Sequence, residues 1–349
     1  MHILNNIKKN LVYKNQKIQI ALKKIEQSDV KILFVLNEKD CLIGSITDGD
    51  IRRFLIKNKI LSGTVYQFMN KKVLYRFINH STKLNNVLMK KKDITYLPIV
   101  DKFKRIKKIQ IKDGLFQERF NKVVLMAGGK GMRLRPLTKN TPKPLLKVNN
   151  IPLIESLIVK FINQGFNKFI ISINYLGDKI QNYLGDGKRF GCEITYIKEK
   201  KYLGTAGSLS LIKNKKINLP IILMNSDVIT NINFKSLVDY HKINSSDLTI
   251  VAKNYRNISL FGELGTKKNR VYSIVEKPIK DVFINSGIYV LNPELLKLIK
   301  KKELQMTDLI NYLIKKKKKI FYYPIFENWV DVGNKRDLVK IINKNYLND

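Results

Sequence analysis

Two hydrophobic rhythms divide this chain near residue 116. Before that point, apolar positions recur at helical spacing in Lys17–Lys24 and again in Lys83–Lys90, and each stretch is followed by a short apolar run, Ile32–Asn37 and Tyr96–Asp101. A second strand follows in both copies, Leu42–Thr47 in the first. Residues 1–116 therefore read as two diverged helix-strand-strand-helix repeats, about 1–60 and 61–116. From Asn121 onward the strand-like runs are Lys122–Ala127, Lys168–Ile173, Glu193–Ile197, Pro220–Met224, Asp247–Ala252 and Phe283–Leu291, with helical stretches between them. That alternation predicts an α/β fold over 121–349, and the unbroken apolar character of the first run suits a parallel strand covered on both faces. Ligands of such sheets sit beyond the carboxyl ends of strands, which makes the residues after each run the informative ones.

After the first run come Ala127, Gly128, Gly129 and Gly131, then Arg133 and, ten residues on, Lys143 between Pro142 and Pro144. Glycines let a triphosphate approach backbone N–H groups, Arg133 offers a planar fork of donors, and two prolines predict that Lys143 is presented from a stiff extended segment. The pattern is neither the dinucleotide fingerprint nor the phosphate loop, since no Ser or Thr follows Lys130. Taken as residues alone, it could still be a glycine turn followed by a basic surface loop. The whole stretch from Gly128 to Val148 closely resembles the signature GGxGTRLxPLTxxxPKPLLxV of the sugar-1-phosphate nucleotidyltransferases, with Met132 in place of the usual small hydroxyl residue.

The resemblance implies a Rossmann-like nucleotidyltransferase with a mixed central sheet and a set of site residues. Arg133 and Lys143 would be catalytic, and Ala127, Gly128, Gly129, Gly131 and Met132 would bind the NTP. Gly204, Thr205 and Ala206 of the LGTAG segment would face the nucleoside, although a glycine-bearing helix start with no ligand is the plain alternative. Gly262, Glu276, Lys277 and Asn285 would hold the sugar phosphate. Asp227 closes the run before it and, with Asp331 of Asn328–Gly333, would hold Mg²⁺, a cation satisfied by one or two carboxylates plus substrate phosphates. Judged without the resemblance, Asp331 before Gly333 reads as a turn residue.

The N-terminal repeat, with Gly44–Arg53 as its best-kept stretch, resembles a tandem CBS-domain pair. Such pairs often bind adenine nucleotides, and the resemblance carries ribose contacts over to Thr47 and Asp50. In the second copy Lys112 and Gly114 stand where Asp48 and Asp50 stand in the first, so at most one such site is expected. Capping of a helix by Asp48 and Asp50, in a pair that serves for dimerisation, is the equal alternative. A CBS pair ahead of this transferase is similar to enzymes that make GDP-glucosamine for bacterial legionaminic acid, and LGTAG is similar to guanylyltransferases. GTP and glucosamine 1-phosphate are therefore the favoured substrates, with dTTP, UTP or CTP and other hexose 1-phosphates left open.

A net charge of +38 on 349 residues raises the question of a nucleic-acid partner. The lysines are spread along the chain rather than gathered on one arm, which argues against it; Lys315–Lys319, the densest run, reads as a solvated helix end. Cys41 and Cys192 lack metal or redox spacing and read as packing residues of a reduced, cytoplasmic protein. No apolar leader or membrane span is expected. His2, His80 and His241 are given no role. A homo-oligomer, dimer or tetramer, is expected. A non-catalytic nucleotide-sugar sensor is the rival reading, against which stands the retention of Arg133, Lys143, Asp227 and Asp331 together.

Overall fold

The computed structural model describes residues 2–4, 7–27, 31–58, 62–112, 119–212, 217–334 and 337. Two compact units emerge, Met1–Glu118 and Arg119–Asn348. In the first, β1 (His2–Leu4), β2 (Leu11–Tyr13), α1 (Ile18–Gln27), β3 (Ile32–Leu36), β4 (Leu42–Thr47) and α2 (Asp48–Asn58) are followed by α3 (Val65–Phe68), β5 (Arg76–Phe77), α4 (Thr82–Lys91), β6 (Tyr96–Val100) and β7 (Ile106–Ile111). Ile18 and Thr82 open equivalent helices, and Ile32 and Tyr96 equivalent strands, a constant offset of 64 residues. Pairing repeats as well: β2 runs parallel to β3 and β3 antiparallel to β4, as β5 does to β6 and β6 to β7, with a bulge at Val35/Leu36 matched by one at Ile99/Val100. Phe34, Leu36 and Leu42 of one copy share a core with Val100, Ile106 and Ile109 of the other. Gly114, named above for the second copy, lies outside the described residues.

The second unit contains β8 (Val123–Met126), β9 (Lys147–Val148), β10 (Ile151–Pro152), α5 (Leu153–Ile162), β11 (Lys168–Ile173), α6 (Gly177–Leu184), β12 (Glu193–Lys198), α7 (Gly204–Gly207), β13 (Ile221–Asn225) and β14 (Val228–Thr230). It continues with α8 (Phe234–Ile243), β15 (Leu248–Ile258), β16 (Glu263–Lys267), β17 (Arg270–Val275), β18 (Ile279–Leu291), α9 (Met306–Lys315), β19 (Ile320–Ile325) and β20 (Trp329–Asp331). The central sheet has the order β12-β11-β8-β13-β18-β15-β19. Its strands are parallel except β18, which runs antiparallel to both its neighbours and makes the sheet mixed.

The unbroken apolar runs follow from cover on both faces. Val123 and Leu125 pack on one side with Ile154, Phe161 and Phe234, while Val124 packs on the other with Leu309 and Leu313. Strand β19 was not among the predicted runs. Strands β15 and β18 are also longer than expected: Asn254–Ile258 and Ile279–Phe283 pair only with each other and, with the β16–β17 hairpin, form an arm leaving the sheet. Those residues carry charges and asparagines among single apolar positions, so their pattern offered no buried face to read.

Lys315–Lys319 are exposed at the end of α9, and Cys192 packs in the core, whereas Cys41 is only half-buried. Among the described residues no helix is long and apolar enough to cross a membrane.

Candidate active site

Beyond the carboxyl end of β8 the chain turns through Ala127–Gly131, where the backbone requires a glycine at 131 and packing is tight at 128. Gly131 adopts φ +61°, and a Cβ on it would lie 3.0 Å from Thr138, whose hydroxyl donates to the Gly131 carbonyl at 2.8 Å. A Cβ on Gly128 would lie 3.0 Å from a Glu199 carboxylate oxygen, whereas Gly129 faces open space. Met132 begins a single 3-10 turn with its side chain exposed, Arg133 follows on the surface, and Leu134 anchors the turn in a small core with Leu146, Val148 and Val332.

Lys143 is not held in an extended segment. Leu145 and Leu146 N–H groups close onto the carbonyls of Pro142 and Lys143, forming a 3-10 turn over Lys143–Leu145, because Pro142 sets the φ from which a turn can start and the buried Pro144 suits its first positions. The stiffness expected of the prolines is realised as a turn.

The carboxylates arrive from different stretches. β14 and β20 pair antiparallel with Val228 opposite Asp331, and the Val332 N–H donates to the Asp227 carbonyl at 3.1 Å. This two-stranded ladder sets Asp227 and Asp331 side by side, and Asp331 is a strand residue rather than a turn residue. The Lys143 ammonium ion-pairs with Asp227 and stands 3.9 Å from Asp331. One oxygen of each aspartate is buried with no hydrogen-bond partner. Burial, then the charge of Asp227, holds the Asp331 carboxyl above the ordinary carboxylate range, with Lys143 and Arg133 pulling the other way. The Arg133 guanidinium reaches the same place, since a Cβ on Gly333 would lie 3.5 Å from it. Two adjacent carboxylates, each with a buried oxygen that takes no hydrogen bond, fit a hard, oxygen-seeking divalent cation, and among the described residues no third acid, histidine or cysteine forms a metal-holding group with them.

A cavity of about 140 Å³ opens onto this group, lined by Gly128, Gly129, Lys143, Glu199, Thr205 and Asp227 among others. Gly204 also lines it, but its φ of +77° and its packing explain the glycine: a Cβ would sit 2.5 Å from the Leu304 carbonyl oxygen. The Thr205 hydroxyl accepts from the Met306 N–H at 2.8 Å and so ties α7 to the start of α9. Ala206 does not face the cavity; it is fully buried among Leu209, Leu223 and Leu309, where a small residue lets two elements approach. Glu199 is one of the site residues that sequence reasoning missed, with Asn225 and Ser226, which also line the cavity. The Glu199 carboxylate is buried and accepts from the Ser172 hydroxyl at 2.6 Å and the Leu203 N–H at 3.0 Å. A lone Glu at a strand end carries no spacing signal.

The residues assigned to the sugar divide. At Ser286–Ile288 strand β18 bulges, since Ile250 and Ala252 of β15 pair with Tyr289 and Asn285. Gly287 there takes φ +74° with no room for a Cβ beside Asn225, and the Trp329 indole donates to the Ser286 carbonyl at 3.0 Å. Asn285 donates to the Tyr289 hydroxyl at 2.8 Å and accepts from the Gly287 N–H at 3.1 Å, so it helps hold the bulge that lies beside Asn225, without itself lining the cavity. Gly262 and Glu276 adjoin one another on the exposed arm, where a Gly262 Cβ would meet the Glu276 carboxylate at 3.0 Å; Lys277 follows, also exposed, at φ +44°. None of these three lines the cavity.

In the N-terminal unit, Thr47 and Asp50 form a reciprocal cap of α2: the Thr47 N–H and hydroxyl donate to Asp50 at 2.8 and 2.6 Å, and the Asp50 N–H donates to the Thr47 hydroxyl at 3.2 Å. Asp48 does not cap. It is buried, accepting two hydrogen bonds from Arg52 at 2.7 and 2.8 Å. A cavity of about 230 Å³ in this unit, against Tyr13–Gln16 and Leu36–Glu38, touches neither Thr47 nor Asp50.

Comparison with known proteins places this geometry in context. Residues 122–347 match the nucleotidyl transferase family model, and residues 10–57 match the CBS domain model. Relatives include the mannose-1-phosphate guanyltransferases of Pichia angusta, 34% identical over 226 residues, and of Saccharomyces cerevisiae, 35% over 227. Each match covers 62% of this chain, and 62% and 63% of those relatives respectively, so the chain spans less than two thirds of their length. Among solved structures, HddC from Yersinia pseudotuberculosis superposes with a TM-score of 0.53 at 25% identity, covering 64% of this chain and 99% of that one.

Proposed function

The chain belongs to the nucleotidyl transferase family, and from that premise we propose that it transfers a nucleotidyl group from GTP to a hexose 1-phosphate, giving a GDP-sugar and pyrophosphate. The observation that carries the reading is the convergence of Lys143, Asp227, Asp331 and the Arg133 guanidinium at the mouth of the glycine-lined cavity. The relatives named as guanyltransferases support the choice of GTP. Glucosamine 1-phosphate is the proposed acceptor, with mannose 1-phosphate its nearest competitor; the Glu276 carboxylate on the arm suits the ammonium group of an amino sugar.

A phosphate oxygen of the sugar phosphate attacks the α-phosphorus in line, and pyrophosphate leaves. A phosphate monoester is largely ionised at neutral pH, so no general base is called for, and His241, buried against Thr249 and Asn292, is free of any catalytic task. The protein's contribution is positioning and neutralisation of charge. Ala127, Gly128, Gly129 and Gly131 present backbone to the triphosphate, Arg133 stabilises the departing pyrophosphate, and Lys143 with Lys277 holds the incoming phosphate. Asp227 and Asp331 are the residues that would hold Mg²⁺, which when bound neutralises phosphate charge.

The test is a matrix of GTP, dTTP, UTP, CTP and ATP against glucosamine, mannose and glucose 1-phosphates, read by pyrophosphate release. Silence across the whole matrix with Mg²⁺ present rules out the reaction, and a dTTP or UTP maximum rules out the base. For the CBS unit we propose binding of an adenine nucleotide at Thr47 and Asp50. Added AMP or ATP would then change turnover of the full chain, and an identical rate at saturating nucleotide leaves those residues as a helix cap alone.

A further inference from the structure

The residues expected to face the nucleoside are committed to the fold. Gly204 is fixed by the Leu304 carbonyl, and Ala206 is core. The Thr205 hydroxyl accepts from the Met306 N–H at 2.8 Å and donates to the Gln305 amide oxygen at 3.2 Å. On the same wall of the cavity the Glu199 carboxylate holds the Ser172 hydroxyl and the Leu203 N–H, and Ser208 is buried. Lys143 and Asp227, across from them in the chain, pair with each other. One side chain of the 199–208 wall is left over. Tyr202 lines the cavity with 46% of its surface exposed, and among the described residues its ring and hydroxyl have no hydrogen bond, ring contact or cation contact.

A half-exposed tyrosine is ordinary on a protein surface. This one differs in how it is mounted. The residue after it is tied from both sides, the Leu203 N–H to Glu199 at 3.0 Å and the Leu203 carbonyl to the Leu304 N–H at 2.9 Å, so a free ring stands on a fixed backbone at the cavity wall. A tyrosine has few rotatable bonds, and a flat ligand that covers a ring already held in place orders little else. The base is the flat, π-faced part of a nucleoside triphosphate. We infer that Tyr202 is the platform on which the nucleobase packs, and that it supplies affinity without selecting the base, because every base offers a π-face. Tyr202 has this role only if the cavity receives the nucleotide, as the proposed reaction requires, but it has it whichever base is bound.

Equilibrium titration of the full chain with GTP, dTTP, UTP and CTP, in Mg²⁺ and without sugar phosphate, first identifies the nucleotide that binds most tightly. For that nucleotide Tyr202→Leu should weaken binding by roughly tenfold or more, whereas Tyr202→Phe should stay within about twofold of wild type because the hydroxyl has no partner to lose. Inorganic tripolyphosphate, which lacks a base, should bind the wild type and Tyr202→Leu alike. A leucine variant that binds the nucleotide like the wild type overturns the platform, as does a phenylalanine variant that loses as much as leucine, or a loss of equal size for tripolyphosphate. Tyr202→Trp covers the case in which the leucine variant misfolds. Read against Trp329, the single native tryptophan, its added indole emission should change with the nucleotide and not with tripolyphosphate, and emission indifferent to the nucleotide also overturns the platform. A wild type that binds none of the four nucleotides removes both the platform and the reaction, while failure of the ring tests alone leaves the reaction standing.

Discussion

The two ends of the proposed site are built to different standards. The end that would receive the triphosphate is assembled from segments locked by their neighbours: a glycine turn stitched by Thr138, a lysine on a proline-started turn, and two aspartates fixed by one pair of strands. The end that would receive the sugar is carried largely on an arm whose strands pair only with each other. Stability is local, and segments with few buried contacts open at lower cost than the core. A site built this way would fix the phosphorus geometry in advance and leave the sugar contacts to be ordered when substrate binds.

If the contrast is real, damage at the two ends differs in kind as well as size. Arg133→Ala removes a donor aimed at the leaving pyrophosphate and should lower kcat by about 10²-fold or more, with little change in melting temperature because the side chain is exposed. Pyrophosphate release at near wild-type rate would strike Arg133 from the mechanism. Gly204→Ala tests the rigidity of the same end. The methyl group would be driven against the Leu304 carbonyl at a φ of +77°, so a loss of roughly 2–3 kcal/mol of stability is expected in thermal or denaturant melts. A neutral outcome would mean the wall of the cavity yields, and that the contrast is overstated.

How much of this was legible in the sequence follows the same division. The glycine turn, Arg133, Lys143, Asp227 and Asp331 were legible through the resemblance of their segments to a family signature rather than residue by residue, since Asp331 on its own read as a turn residue, and the structure brings them together. The N-terminal repeat was readable through its periodicity, although the sequence pairing of Lys17 with Lys83 sets the helices two residues away from the constant offset of 64 that the structure gives. What stayed hidden depends on contacts across the fold. Glu199 acquires meaning only from Ser172 and Leu203, Ala206 proves to be core because α7 packs toward α9, and Asp48 turns inward because Arg52 lies one helical turn away. The arm escaped because strands exposed on both faces have no inside against which a pattern of alternation can be set.

At the sugar end, Glu276→Ala should raise KM for the sugar phosphate by about tenfold and leave KM for GTP within a factor of two, roughly the worth of one exposed polar contact. Melting should not change, since Glu276 is exposed and its loss leaves nothing buried without a partner. Equal effects on both substrates would erase the distinction between the two ends, and would point to the arm as a general support rather than a sugar-binding element.

The smallest effect concerns how the rigid end is propped. Lys160 on α5 donates to the Thr230 carbonyl at 3.1 Å and to Asn231 at 2.6 Å, bracing the end of β14 beyond Asp227, and burial lowers its pKa from 10.5 to about 8. Below pH 8 the folded and unfolded chains both hold the proton, so the cost of burying the charge is constant. Between about pH 8 and 10.5 the unfolded chain keeps a proton that the folded chain has released, so this residue's contribution to stability rises with pH, at up to about 1.4 kcal/mol per pH unit before discounting for partial solvation. Lys160→Met abolishes that slope. Denaturant melts of both proteins across pH 7 to 10 should therefore show the wild type gaining on the variant as pH rises. A constant difference would mean that Lys160 reaches water in the folded state, and that the strand bearing Asp227 is less tightly packed than its hydrogen bonds imply.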